Sequence, residues 1–310
     1  MIIHAVSIHS GGGKVLLDQI LTVNNLNGDG ISILICDERY EIPANSPFGL
    51  QIHKVKPNLL SRWKAEFLLK SIALENPREN VLCFSNLPPA LKLPNKVILF
   101  LQNALLFPGI PLHVDSIKTK LRIMYEKLWL NFFMSNVNEF WVQTAWMKDI
   151  LEEKTAVSIK IKPIILDLPT PTKRQKKYNY ITVSGSTPHK RLYELLKAWE
   201  LIDNPPKLLV IMDQPSSKIK AQIERVQNRN ITFVINAKRE DIYTYYEESK
   251  ILLITSKIES YCLPIYEALH FGLRVIAPNE GYTHEVINQI EIIEDFSVSN
   301  LIKKIQTESP

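Results

Sequence analysis

Apolar residues in this chain fall into short runs separated by stretches of helical period. Residues 2–8, 31–36, 81–85, 96–101 and 139–142 read as strands. Between them, Leu16, Leu17, Ile20 and Leu21 form one stripe at helical spacing. Trp63, Phe67 and Leu68 form a second, and Leu121, Met124, Tyr125 and Leu128 a third. Strand and helix alternate, which predicts a parallel sheet covered by helices on both faces. The alternation stops after Ile164-Ile165-Leu166, where Pro169-Thr170-Pro171-Thr172 and the basic run 173–177 read as a linker. It then restarts, with strands at 180–184, 207–212, 231–235, 251–255 and 274–277. Helices are expected at 192–201, 218–227, 241–248 and from Pro264. The expected organisation is an α/β chain of two Rossmann-like domains, 1–166 and 179–310, joined by a linker at 167–178 and facing an interdomain cleft.

Composition narrows the class. The chain has 310 residues, 45% hydrophobic and 22% charged, which reads as globular and excludes disorder and coiled coil. No apolar run approaches the roughly 20 residues of a membrane span. Met1–Val6 reads as a first strand rather than a signal peptide. Cys36, Cys83 and Cys262 are odd in number and far apart, which predicts reduced thiols in a cytoplasmic protein. The net charge of +5 is too mild a bias to argue nucleic-acid binding. There is no Asp-x-Asp, and the seven histidines form neither HxxxH nor HExxH, so no metal site is expected.

The chemistry concentrates in 259–269, Glu-Ser-Tyr-Cys-Leu-Pro-Ile-Tyr-Glu-Ala-Leu. A strand feeds a loop bearing Glu259, and Pro264 suits the first turn of the following helix. That helix aims free backbone N–H groups where a pyrophosphate can sit, and Glu267 reaches the same pocket. The two carboxylates suit hydroxyls of ribose and sugar; on spacing alone they could equally cap the helix or face water. Lys190 and Arg191 open another helix just after Gly185 and Ser186. Cations there oppose the helix dipole, a conflict that a bound anion would relieve. Ser10-Gly11-Gly12-Gly13-Lys14 follows the first strand and is neither GxxxxGK[ST] nor GxGxxG. Gly12 and Gly13 permit close approach of a ligand, although a plain glycine turn would look the same.

Residues 259–278 resemble the E-x7-E motif and following strand of the family 4 retaining glycosyltransferases, which have the GT-B fold. The resemblance implies that Glu259 faces the donor sugar and Glu267 holds the nucleotide ribose. It also implies that the backbone at Cys262 and Leu263 contacts the diphosphate. Residues 183–191 are similar to the family's phosphate loop: Lys190 matches its lysine, Ser186 stands where an arginine is usual, and Arg191 supplies charge if it turns inward. Gly12 and Gly13 match the Gly-Gly pair beside the donor phosphates and acceptor. Gln102 replaces a histidine, which excludes a proton-shuttling His at that position. Gln102 and Asn103 either hydrogen-bond a sugar or serve as ordinary loop residues.

The implied activity is transfer of a hexosyl group from a nucleoside-diphosphate sugar to a hydroxyl of a glycan or lipid-linked acceptor, with retention and without metal or other cofactor. Bacterial surface-polysaccharide assembly, such as lipopolysaccharide or O-antigen, is the implied setting. The rival readings are a nucleotide-sugar 2-epimerase on the same scaffold and a non-catalytic partner subunit. Glu267→Ala is expected to weaken donor binding and leave the fold intact. The helix at 117–133 carries Lys118, Lys120, Arg122 and Lys127 beside its apolar stripe. Its apolar face is expected to meet the core, although the same pattern suits peripheral contact with an anionic membrane. Family members commonly end in a helix that crosses back to the first domain, and 301–310 leaves little chain for one.

Overall fold

The computed structural model describes residues 1–23, 30–107, 110, 116–164 and 166–308. Ile165 and Pro310, named above, lie outside the described residues. The chain divides into two compact units, one formed by Met1–Ile110 with Leu121–Asp167, the other by the segment ending at Lys120 with the chain from Leu168 on.

The first unit contains β1 (Ile2–Ala5), α1 (Gly11–Val23), β2 (Ile33–Asp37), β3 (Gln51–Val55), α2 (Leu59–Glu75), β4 (Val81–Cys83) and β5 (Val97–Phe100). It continues with α3 (Ile117–Phe133, in this unit from Leu121), β6 (Glu139–Val142), α4 (Ala145–Glu152) and β7 (Ser158–Ile161). Seven strands pair in the order β3-β2-β1-β4-β5-β6-β7, all parallel. Every residue of β1, β2, β4, β5 and β6 is buried, which is why these strands read as continuous apolar runs. The edge strands β3 and β7 are mostly exposed and polar, so they carried no such signal.

The second unit holds β8 (Tyr178–Ser184), α5 (Leu192–Leu201), β9 (Leu208–Met212), α6 (Ser217–Arg225), β10 (Ile231–Ile235), α7 (Arg239–Glu247) and β11 (Ser249–Leu253). Then come α8 (Leu263–His270), β12 (Arg274–Pro278), β13 (Glu291–Ile293) and α9 (Val298–Glu308). Its six parallel strands run β10-β9-β8-β11-β12-β13. Successive side chains along a strand point to opposite faces, and the core divides accordingly. Tyr180, Val210, Leu253 and Ile276 pack with Trp199 of α5. Ile181, Leu209, Ile211, Leu252 and Val275 pack with Tyr246 of α7 and Ile265 of α8 on the other face. Leu301 and Ile305 of α9 join the Trp199 cluster, so the final helix is a core element of this unit.

One expectation needs correction. The stripes Trp63/Phe67 and Leu121/Met124/Tyr125/Leu128 do not face the core; all six side chains are exposed. The buried positions of α2 include Ala65, Leu69, Ile72 and Ala73, and those of α3 are Ile123, Trp129 and Leu130. Small residues let α2 sit close to its neighbours, and its larger side chains stay outside. The basic run is also tied down. Arg174 pairs with Glu247 at 2.9 Å, Lys177 pairs with Glu248 at 2.6 Å, and Lys176 donates to the Ser249 carbonyl at 2.7 Å.

Candidate functional site

In the second unit the strand order reverses between β8 and β11. Loops leaving the carboxyl ends of such strands diverge and leave room for a ligand. Here they carry Lys190 and Glu259. After β8, Thr187 leads into a 3₁₀ turn at Pro188–Lys190, and Arg191, at φ 51°, redirects the chain into α5. The hydroxyl of Thr255 donates to the Lys190 carbonyl at 2.6 Å, and the Lys257 amide to the His189 carbonyl at 2.7 Å. These two bonds stitch the loops together. The Lys190 ammonium then meets the Glu259 carboxylate in a short ion pair. Burial alone would lower the Lys190 pKa, but the Glu259 charge and hydrogen bond hold it above the ordinary lysine value. Lys190 is therefore a cation at neutral pH.

Cys262 precedes α8 in the left-handed region, at φ 55°, which a residue with a Cβ rarely adopts. Its thiol is buried, and burial first, then the Glu259 charge, pushes its pKa well up. It is thus no nucleophile, and its part is to turn the backbone into the helix. The first amides of α8 lack intrahelical partners and carry the positive end of the helix dipole. Lys190 and the backbone amides at Cys262 and Leu263 are accordingly the anion-accepting groups here, with Glu259 as the counter-ion of the ammonium.

Glu267 sits one turn further along α8 and is buried. One of its carboxylate oxygens takes the guanidinium of Arg239 and the other accepts from the Tyr246 hydroxyl at 2.9 Å. Sequence reasoning missed both partners. Arg239 opens α7, where a cation opposes the helix dipole. That was the one available signal, the same one that marked Lys190. Tyr246 gave none. The carboxylate retains lone pairs beyond these two bonds.

The remaining candidates of this unit differ in role. Gly185 sits against Asp213: a Cβ there would lie 3.6 Å from its carboxylate. The Ser186 hydroxyl donates to the Gln214 carbonyl at 3.2 Å. Arg191 pairs with Glu280 at 3.3 Å and lies over the Phe296 ring at 4.7 Å. Its Nη1 is buried without a hydrogen-bond partner, so the guanidinium keeps a donor beyond these contacts.

In the first unit, Gly11–Gly13 form the first turn of α1 rather than a loop before it, and Gly11 has φ 64°. A Cβ on Gly13 would lie 3.1 Å from Ile8 and 3.6 Å from the Gln102 Oε1, so the glycine lets Gln102 approach the helix start. Gln102 donates through Nε2 to the Phe84 carbonyl at 3.0 Å, and its Oε1 is buried without a partner. Asn86, at φ 64°, accepts the Gln102 and Asn103 amides through Oδ1 at 2.5 and 2.9 Å. Its part was not visible in the sequence. The Asn103 Oδ1 caps a 3₁₀ turn by accepting the Leu105 amide at 3.1 Å, leaving its NH₂ and one lone pair for other partners. Gly13 and Gln102 come together, with Asn103 supporting the loop. Among the described residues, no group of three or more His, Cys, Asp or Glu side chains could hold a metal ion.

The two sheets give the chain the GT-B fold of two Rossmann-like halves. Residues 167–307 match the family described as glycosyl transferases group 1. No curated protein matches the chain. Several solved structures do. WaaG, a glycosyltransferase involved in lipopolysaccharide biosynthesis, is 16% identical with a TM-score of 0.68, covering 100% of this chain and 91% of that one. Anabaena HepE in complex with UDP and glucose is 13% identical with a TM-score of 0.70, covering 99% and 88%. S. aureus TarM, solved as a point mutant in complex with fondaparinux, alpha-GlcNAc-glycerol and UDP, is 17% identical with a TM-score of 0.60, covering 78% of this chain. The match spans half the length of TarM.

Proposed function

We propose that this chain is a glycosyltransferase that moves a hexosyl group from a nucleoside-diphosphate sugar to a hydroxyl of a glycan or lipid-linked acceptor. The observation that carries the reading is the Lys190–Glu259 pair at the reversal of strand order, beside the start of α8. A cation and a helix N-terminus suit a leaving diphosphate, and the carboxylates suit sugar hydroxyls. The family match over 167–307 and the UDP in the HepE and TarM complexes support the same reading.

In the proposed reaction the acceptor hydroxyl oxygen bonds to the anomeric carbon as the bond from that carbon to the diphosphate oxygen breaks. The hydroxyl proton passes to the departing phosphate, and attack on the leaving-group face gives retention. Lys190 and the α8 amides take up the charge that develops on the diphosphate, without a divalent metal. Preorganised donors of this kind contribute roughly 10²–10³ each in rate. Glu259 faces the donor sugar, and Glu267, oriented by Arg239 and Tyr246, takes the ribose.

A thermal-shift panel of UDP, GDP, dTDP and ADP tests the reading. One of them should raise the melting temperature in a concentration-dependent way, by about 2.7 kcal/mol of added stability at 100 times Kd. Transfer from the corresponding sugar nucleotide should follow. The absence of any shift would overturn the proposal.

A further inference from the structure

Arg191 holds a backbone state that costs it energy. At φ 51° and ψ 29° it is left-handed, where its Cβ crowds the following carbonyl and only glycine is at ease. The residue is also a joint. Its amide donates to the Pro188 carbonyl at 3.0 Å, and its own carbonyl accepts the Leu195 amide at 3.2 Å. Arg191 thus closes the 3₁₀ turn and opens α5 at once. Leu192, Leu195, Leu196 and Trp199 fix α5 in the core. The torsion at Arg191 therefore sets how the turn bearing Lys190 stands on that helix.

The side chain offsets the cost of the torsion. Its guanidinium is only 18% exposed, pairs with Glu280 at 3.3 Å and lies over the Phe296 ring at 4.7 Å. Both partners are anchored. Phe296 packs against the Trp199 cluster. The hydroxyl of the buried Thr283 accepts the Glu280 amide at 3.3 Å, and the Thr283 amide donates to the Glu280 carbonyl at 2.8 Å. This fixes the start of a 3₁₀ segment, Gly281–Gln289. From that segment the Tyr282 hydroxyl donates to the Ser256 carbonyl at 2.6 Å, on the loop that leads to Glu259. Lys257, whose amide holds the His189 carbonyl, brings a second positive charge to Glu280. A cation at the start of α5 opposes the helix dipole. Glu280 answers that charge within the protein.

We propose that Arg191 is a positioning residue: its clasp with Glu280 and Phe296 holds the left-handed turn that presents Lys190 to the diphosphate. The purpose rests on the glycosyl-transfer reading, whereas the clasp is a property of the loop itself. Without the clasp the turn adopts other torsions, and the apparent Kd rises as the fraction of molecules with Lys190 in place falls.

The test sets Arg191→Ala, Arg191→Gly and Glu280→Gln against wild type in titration calorimetry. The probe is whichever of UDP, GDP, dTDP and ADP stabilises the wild-type protein. Arg191→Ala keeps the torsional cost and loses the clasp, so Kd should rise roughly 5- to 30-fold. Arg191→Gly loses the same contacts but accepts the torsion, so Kd should return to within about threefold of wild type. Glu280→Gln should weaken binding about two- to fivefold. A residue that only supported the fold would lower the melting temperature and leave Kd alone. Wild-type affinity in Arg191→Ala or in Glu280→Gln therefore overturns the proposal. So does an equal loss in Arg191→Ala and Arg191→Gly, because the guanidinium would then touch the nucleotide through its free Nη1.

A second arm needs no nucleotide. Crystal structures should show the Lys190–Glu259 pair broken in Arg191→Ala and kept in Arg191→Gly. An intact pair in Arg191→Ala overturns the clasp even where the glycosyl-transfer reading stands. A broken one supports it even where that reading falls.

Discussion

Lys190→Met offers the sharpest test of the diphosphate site, because structure assigns the ammonium two separable consequences. The first is stability. The substitution keeps the stem and removes the charge, leaving Glu259 without its partner. Breaking a fully buried pair costs about 3–5 kcal/mol. Here the side chains are 27% and 16% exposed, so water screens the orphaned carboxylate. The expected cost is about 1–2 kcal/mol, a fall of a few degrees in melting temperature. The second is binding. A hydrogen bond to a charged group contributes about 1.5–3 kcal/mol, so Kd for the nucleoside diphosphate should rise roughly 10- to 150-fold by titration calorimetry. Glu259→Gln supplies the contrast. It removes the carboxylate that competes for the ammonium, so nucleotide affinity should hold or improve while transfer is lost. If Lys190→Met binds the nucleotide with wild-type affinity, the assignment of the diphosphate to this loop is wrong.

Other expectations can be checked alongside. Glu267→Ala strands the buried Tyr246 hydroxyl and the partly exposed Arg239, so it should cost about 1–3 kcal/mol of stability in chemical denaturation as well as donor affinity, with the fold retained. The thiols of Cys36, Cys83 and Cys262 are buried and shifted upward by burial, Cys36 to about 11. The native protein should thus react negligibly with a thiol reagent at about pH 8, whereas the denatured chain should titrate all three. Glu139, buried, takes Lys96 and Lys160 at 2.9 Å and the Trp141 indole at 2.6 Å. Burial opposes its ionisation, but these partners hold its pKa down at about 2. A lowered folded pKa gives stability that is present above pH 4.5 and lost as pH falls toward 2. Glu139→Gln should remove about 1–2 kcal/mol of that pH dependence, seen as a flatter melting-temperature profile across the window.

Central elements were legible in the sequence because their residues are buried on both faces. β6 and α5 lie where the periodicity placed them, and β8, β9 and β12 nearly so. The edge strands β3 and β7 and the short β13 were missed because one-sided burial leaves no continuous apolar run. The outward stripes of α2 and α3 misled for a related reason: period reveals a face and not the direction in which it points. At the candidate site, the loops bearing Lys190 and Glu259 were readable from local chemistry. Arg239 carried the same signal as Lys190, a cation at a helix start, but its partner Glu267 lies 28 positions away; Asn86 and Tyr246 carried none, since each acts on a residue 16 to 21 positions away that only the fold brings near.

The most direct measurement of the central claim is a crystal structure with the nucleoside diphosphate that most stabilises the protein. The account predicts phosphate oxygens within hydrogen-bonding distance of the Lys190 Nζ and the amides at Cys262 and Leu263, with the ribose at Glu267. A nucleotide bound at well-defined density away from these groups would contradict it.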